Sequence, residues 1–218
     1  MRKIIYLLLL FGFVSCNTTK YIFVDDLQNY GLDLSKGKWI LNEIDCPSHV
    51  YGRLNTAVNE NFKEVLNDSL FNLSTAKGVI FPKKISLQPT KLAIQNLKKG
   101  AAGYDYLINI RAAAKSNQLG SIDAMSEQQR YVDDYKKNQS EVIVEVYDLN
   151  LAEIIYTKKV IGTIDNDKKS VWNNANTANK NITIKDANHY ASTDIIILGG
   201  FDKIMKDIKN KSVKQKKV

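Results

Sequence analysis

Apolar and polar positions alternate along the chain in two rhythms, one of strands and one of helices. From Lys38 to Ile44, Trp39 and Leu41 fall on one face of a predicted strand and Ile40 and Ile44 on the other. Pro47 stops that strand and Ser48 offers an N-cap. Val50, Leu54, Val58, Phe62, Val65 and Leu66 then recur at helical spacing, with Arg53, Glu60, Lys63 and Glu64 on other faces, and Asn67-Asp68 ends the helix. A second strand is expected within Leu70–Phe81, closed by Pro82. Pro89 to Leu97 reads as a shorter helix, with Pro89 in the first turn and Gly100 as the stop.

Three strands follow. Tyr104–Ala113 places Tyr106, Ile108 and Ile110 on one face, and Leu107, Asn109 and Arg111 on the other. Ser140–Asp148 sets Val142, Val144 and Val146 against Glu141, Glu145 and Tyr147, and Asp148-Leu149-Asn150 turns the chain into a return strand at Glu153–Ile164. A last helix is expected from His189 to Lys209, with Ile197, Phe201, Ile204 and Ile208 as its apolar stripe. The order strand-helix-strand-helix-strand-strand-strand-helix predicts an α+β fold. Its mixed sheet has about five strands, the early ones parallel and the later ones antiparallel, with helices packed on it.

Two polar stretches interrupt this pattern, Lys115–Gln139 and Asp165–Asn188. If the three late strands run antiparallel, both stretches leave from one end of the sheet. Arg130, Tyr131, Tyr135 and Trp172 are large amphipathic side chains in polar company, a composition favoured at recognition sites, and they are the expected partner-binding residues. The competing reading folds Trp172 back onto the sheet as a core residue.

Length and charge set the organisation. The chain has 218 residues and a net charge of +8. Arg2 and Lys3 carry part of that excess, as do Lys209, Lys211, Lys214, Lys216 and Lys217 in an acid-free tail, so the body between them is near neutral. The expected layout is a signal at 1–15, a tether at 16–36 with a short strand near Tyr21–Val24, one domain at 37–208, and a frayed lysine-rich tail at 209–218. The tail is read either as a solubilising end or as a contact for an anionic membrane surface.

The N-terminus supplies the most specific motif. Met-Arg-Lys precedes a short apolar run from Ile4 to Val14, a secretory pattern too brief for a membrane span, which needs roughly 20 apolar residues. Phe13-Val14-Ser15-Cys16 resembles the lipobox of bacterial lipoproteins, although Leu is usual where Phe13 stands. The resemblance implies cleavage after Ser15 and acylation of Cys16, hence attachment to a lipid bilayer through acyl chains. It also implies an outer-membrane position, because Asn17 stands where an Asp would retain enteric lipoproteins at the inner membrane, and a domain facing the periplasm, because no acidic cluster directly follows Cys16. The Val50–Leu66 helix, the Tyr104–Ile110 strand and the Val142–Tyr147 strand ending in Tyr-Asp are together similar to envelope domains of the curli-secretion lipoprotein family and of lipoproteins that activate penicillin-binding proteins.

Catalytic constellations are sparse. The chain has no Gly-x-Ser-x-Gly, no His-Glu-x-x-His and no phosphate loop, and Gly199-Gly200 falls inside a predicted helix. Cys46 and His49 invite a metal or nucleophile reading. A closed zinc site needs four Cys/His-type ligands, however, and the chain holds two cysteines and two histidines, His49 and His189. Asp133-Asp134 is a weak carboxylate pair, because neighbours on one element point apart. No metal, cofactor or nucleic-acid partner is expected. The sequence thus predicts a non-catalytic adaptor, assembly factor or regulator that binds an envelope protein or cell-wall component. The alternative is a carboxylate-based cell-wall or glycan enzyme, or a polysaccharide-binding lipoprotein.

Overall fold

A computed structural model of the protein describes residues 19–24, 31–76, 78–82, 84–115, 137–165 and 183–213. Its strands are β1 (Lys20–Val24), β2 (Trp39–Leu41), β3 (Leu70–Asn72), β4 (Tyr106–Lys115), β5 (Lys137–Asp148) and β6 (Glu153–Asp165). The helices are α1 (Ser48–Leu66), α2 (Lys91–Gly100) and α3 (Thr183–Lys211). One mixed sheet orders the strands β1-β6-β5-β4-β2-β3. The early strands β2, β3 and β4 pair in parallel, while β4, β5, β6 and β1 pair antiparallel. The α+β architecture and the division into parallel and antiparallel halves follow the sequence pattern. The sixth strand is β1, which adds to the free edge of β6.

The two faces of the sheet are covered differently. On one face, α1 and α3 lay down the stripes their periodicity predicts. Val50, Leu54, Val58 and Phe62 of α1 and Ile197, Phe201, Ile204 and Ile208 of α3 meet Ile108, Ile110, Val142, Val144 and Val146 in the main core. Burial of each such side chain is worth roughly 1.5–3 kcal/mol before entropy is counted. Gly199 lies within α3 where β1 crosses it, and a Cβ there would overlap the Tyr21 ring and hydroxyl. The glycine pair is therefore a packing feature. On the other face, α2 and the strap of chain that precedes it (residues 78–82 and 84–90) cover a smaller core of Ile40, Ile94, Leu97, Leu107 and Tyr147.

Several local expectations change. The strand expected over Lys38–Ile44 is three residues long, so alternation lapses after Leu41 and Ile44 joins Trp39 and Leu41 in the main core. Ser48 is the first helical residue, not the cap. Pro47 holds that position and its carbonyl takes up the Val50 N–H. α2 starts at Lys91 with Thr90 rather than Pro89 before it as the cap, the Thr90 hydroxyl accepting the Ala93 N–H at 3.3 Å. Glu145 and Tyr147, expected on an outward polar face, are 1% and 0% exposed because the strap and α2 lie over them.

Both ends of the described chain dock on the domain. β1 and the buried Leu32 and Leu34 lie inside the stretch read as a tether. In the stretch read as a frayed tail, Lys209 binds Glu64 at 2.8 Å and Asn61 at 2.9 Å. The Val213 N–H donates to the Leu32 carbonyl, and the Leu34 N–H to that of Val213. Apolar residues at 32 and 34 and backbone pairing at 213 tie the two ends together, which periodicity read along one segment at a time does not reveal.

Candidate functional site

Residues 78–82 and 84–90 approach the sheet as a strap with period-two burial, bent at Lys84, Leu87 and Gln88. Val79, Phe81, Ile85, Leu87 and Pro89 are half-buried, whereas Ile80, Pro82, Lys84, Ser86 and Gln88 are exposed. The far end of the strap is stitched to α2 by the Ile80 N–H, which donates to the Gly100 carbonyl at 2.9 Å. A Cβ at Gly100 would overlap the Ile80 carbonyl oxygen, so this crossing requires glycine.

The near end is stitched to the sheet through a buried polar chain. The Asn42 amide donates to Asn109 Oδ1 at 3.2 Å, the Asn109 amide donates to the Tyr147 hydroxyl at 3.1 Å, and that hydroxyl donates to Glu145. From the strap, the Gln88 N–H donates to both carboxylate oxygens, at 3.0 and 3.3 Å. Gln88 adopts a φ of 49° to do so, a left-handed conformation that costs a non-glycine residue of order 1–3 kcal/mol and persists where surrounding structure enforces it. Burial pushes the Glu145 carboxyl above its ordinary range, opposed by the Tyr147 and Gln88 hydrogen bonds. Burial and the neighbouring carboxylate likewise push the Tyr147 hydroxyl up. With its oxygens taken by these donors, Glu145 holds the strap and does not face a substrate.

This network makes a pH prediction. An acid whose pKa is raised in the folded state stabilises the fold most below its unfolded pKa, and that contribution is lost as pH rises through the folded value. Wild-type stability should therefore carry a falling component with pH from the ordinary glutamate value of 4.5 upward. Asp105, held low by the Lys38 N–H and the Asn150 amide, contributes the opposite slope at lower pH. Urea unfolding from about pH 2.5 to 7 should show that Glu145→Gln flattens the first component and leaves the second. Parallel curves for the two proteins would refute the assignment.

Between strap and α2 runs a groove of about 490 Å³. Ile80, Pro82, Ile85, Leu87 and Pro89 form one side, and Ala93, Asn96 and Leu97 the other. Ile80 is 82% exposed. Lys84 lies in the groove wall, paired to Asp45 at 2.8 Å, and Lys91 at the start of α2 pairs with Glu153 at 3.8 Å. These lysines are 75% and 65% exposed, and ion pairs that exposed contribute about 0–1 kcal/mol, so another anion readily displaces their partners. The signal that marks this site in the sequence is its charge. Between Asp68 and Asp105 the chain carries Lys77, Lys83, Lys84, Lys91, Lys98 and Lys99 and no acid, a block hidden by the near-neutral total.

The residues singled out by sequence lie elsewhere. Ser15 and Cys16 of the N-terminal motif, and the partner-binding candidates Arg130, Tyr131, Tyr135 and Trp172, fall outside the described residues. The strand ends that flank the two polar stretches do converge. Lys115 is opposite Gln139, and Lys137 is opposite Asp165, so both stretches leave from one end of the sheet. Cys46 is half-buried, and burial followed by the Asp45 charge pushes its thiol up to about 11, so it is protonated at neutral pH and a poor nucleophile. His49 faces Asp194 at 3.6 Å. Among the described residues, no group of three or more His, Cys, Asp or Glu is placed to hold a metal ion.

The sequence matches no protein-family model and no curated protein. Solved structures similar to it include a PelC dodecamer from Paraburkholderia phytofirmans, 8% identical over 86% of this chain and 98% of that one, with a TM-score of 0.34. Hypothetical protein CT253 from Chlamydia trachomatis is 8% identical over 79% and 98%, with a TM-score of 0.36. The LpoB C-terminal domain from Salmonella enterica is 10% identical over 65% and 87%, with a TM-score of 0.32. Likeness at this level carries no conclusion about what the chain binds or does.

Proposed function

We propose that the protein is a lipid-anchored bacterial envelope lipoprotein, held at the outer membrane facing the periplasm, that acts as a non-catalytic adaptor for an envelope protein. The observation that carries the binding role is the groove between strap and α2, an open apolar channel with lysines at its side, set on a strap that hydrogen bonds fix to Glu145 of the sheet and to the end of α2. Such a channel offers apolar contact and charge to a partner, and its fixed wall lowers the ordering cost of binding. The lipobox-like Phe13-Val14-Ser15-Cys16 supports the anchor. Among the described residues, no helix is long and apolar enough to cross a membrane.

Two measurements test this reading. Cells fed labelled palmitate should label the wild-type chain, and Cys16→Ala should abolish the label; unchanged labelling in that variant removes the anchor. A photo-crosslinking residue at Leu87, in the groove wall, should capture an envelope protein that one at Thr56, on the exposed side of α1, does not. Equal capture from both positions removes the groove as the binding surface.

A further inference from the structure

We infer that the groove between strap and α2 receives an extended acidic peptide of a partner protein, with apolar side chains seated in the channel and carboxylates on the lysines beside it. The inference rests on the adaptor reading above and adds the chemistry of the partner. Three features of the site select this occupant. The first is charge: from Ser69 to Tyr104 every ionisable acid or base is a lysine or a tyrosine, so the strap and α2 add no carboxylate of their own to oppose a bound anion, and Asp45 and Glu153 come from neighbouring elements. Lys84 and Lys91 flank the groove with high exposure and hold only exchangeable carboxylate partners. The second is the apolar lining. Ile80, Pro82, Ile85, Leu87, Ala93 and Leu97 give a free anion such as phosphate nothing to match, whereas a chain with alternating apolar and acidic residues meets both.

The third feature is the wall. Burial along the strap alternates with period two, the chain bends at Lys84, Leu87 and Gln88, and no backbone hydrogen bond joins residues 84–87 to another described segment. An extended peptide beside such a segment finds main-chain groups that no other described segment takes up, the mode in which backbone pairing supplies affinity and alternate side chains supply specificity. A folded helix laid in the groove would use the apolar lining but not the main chain of the strap.

The test uses the full lipidated chain in neutral detergent micelles. The probe is a fluorescein-labelled peptide alternating leucine and glutamate. Two control peptides carry lysine for every glutamate or serine for every leucine. The acidic apolar peptide should bind saturably, more weakly as salt rises, and both controls should bind at least about tenfold less tightly. Ala93→Trp, which fills the channel, and the double variant Lys84→Glu/Lys91→Glu should each weaken binding by about tenfold or more while leaving the melting temperature close to wild type. Equal binding of the lysine peptide, equal binding to Ala93→Trp, or no saturable binding overturns the inference. Binding of the wild-type chain to anionic vesicles that the charge-reversed variant loses, with no peptide binding, also overturns it and assigns the patch to a lipid surface. If the peptide fails but the Leu87 crosslink still captures an envelope protein, the adaptor reading stands and the acidic-peptide chemistry falls.

Discussion

Phe201→Ala is expected to lower the unfolding free energy by about 3–5 kcal/mol, the range for removing a fully buried aromatic side chain. Phe201 is 0% exposed in the middle of α3, and its ring lies 6.4 Å from that of Phe62 on α1. It therefore joins the two helices to each other as well as to the sheet. Neighbouring Ile197, Ile204 and Ile208 are fixed on the same helix, and they cannot close the space without shifting α3 as a whole. Urea unfolding should show a lower midpoint with an unchanged slope, the signature of lost stability without a change in the surface exposed. A loss under about 1 kcal/mol would mean that α3 is not integral to the core.

Glu145→Ala is expected to cost about 2–4 kcal/mol and to loosen the strap. The substitution leaves the Tyr147 hydroxyl without its acceptor and the Gln88 N–H without a partner, each worth about 1–3 kcal/mol when buried. Relief of a buried carboxylate offsets part of that loss. Gln88 then has no bond to repay its left-handed φ, so the strap should relax from that end. Amide hydrogen exchange should accelerate for residues 84–88 much more than for β4 and β5. Uniform acceleration across the sheet, or none in the strap, would show that Glu145 does not hold it. Because the strap is one wall of the groove, the same variant should also weaken capture through Leu87.

The sequence and the structure agree where a local pattern has a single physical solution. The helical spacing from Val50 to Leu66 leaves one apolar face, and α1 buries all six of those residues. Alternation through Val142, Val144 and Val146, followed by an Asp-Leu-Asn turn, makes a hairpin whose Asp148 carboxylate accepts the Asn150 and Leu151 N–H groups. The candidate site was much less legible. The acid-free lysine block was present in the sequence, but a charge total for the whole body concealed it. Glu145 alternates with valines and so reads as an outward residue; nothing in the strand itself says that a second layer will cover that face.

The α+β class, the positions of the long helices and the antiparallel run of the last three long strands were all legible in the residues alone. These depend on side-chain periodicity or on contiguous motifs, which neighbours in the chain fully specify. Folding in three dimensions was needed to settle that β1 closes the edge of β6, that Leu32 pairs with Val213, and that Gln88 binds Glu145 across 57 positions of chain. Such pairings are chosen by which surfaces remain unsatisfied after the local elements have formed: an open strand edge, a buried carboxylate, an exposed apolar face. That choice depends on the whole assembled surface, and no stretch of sequence carries it.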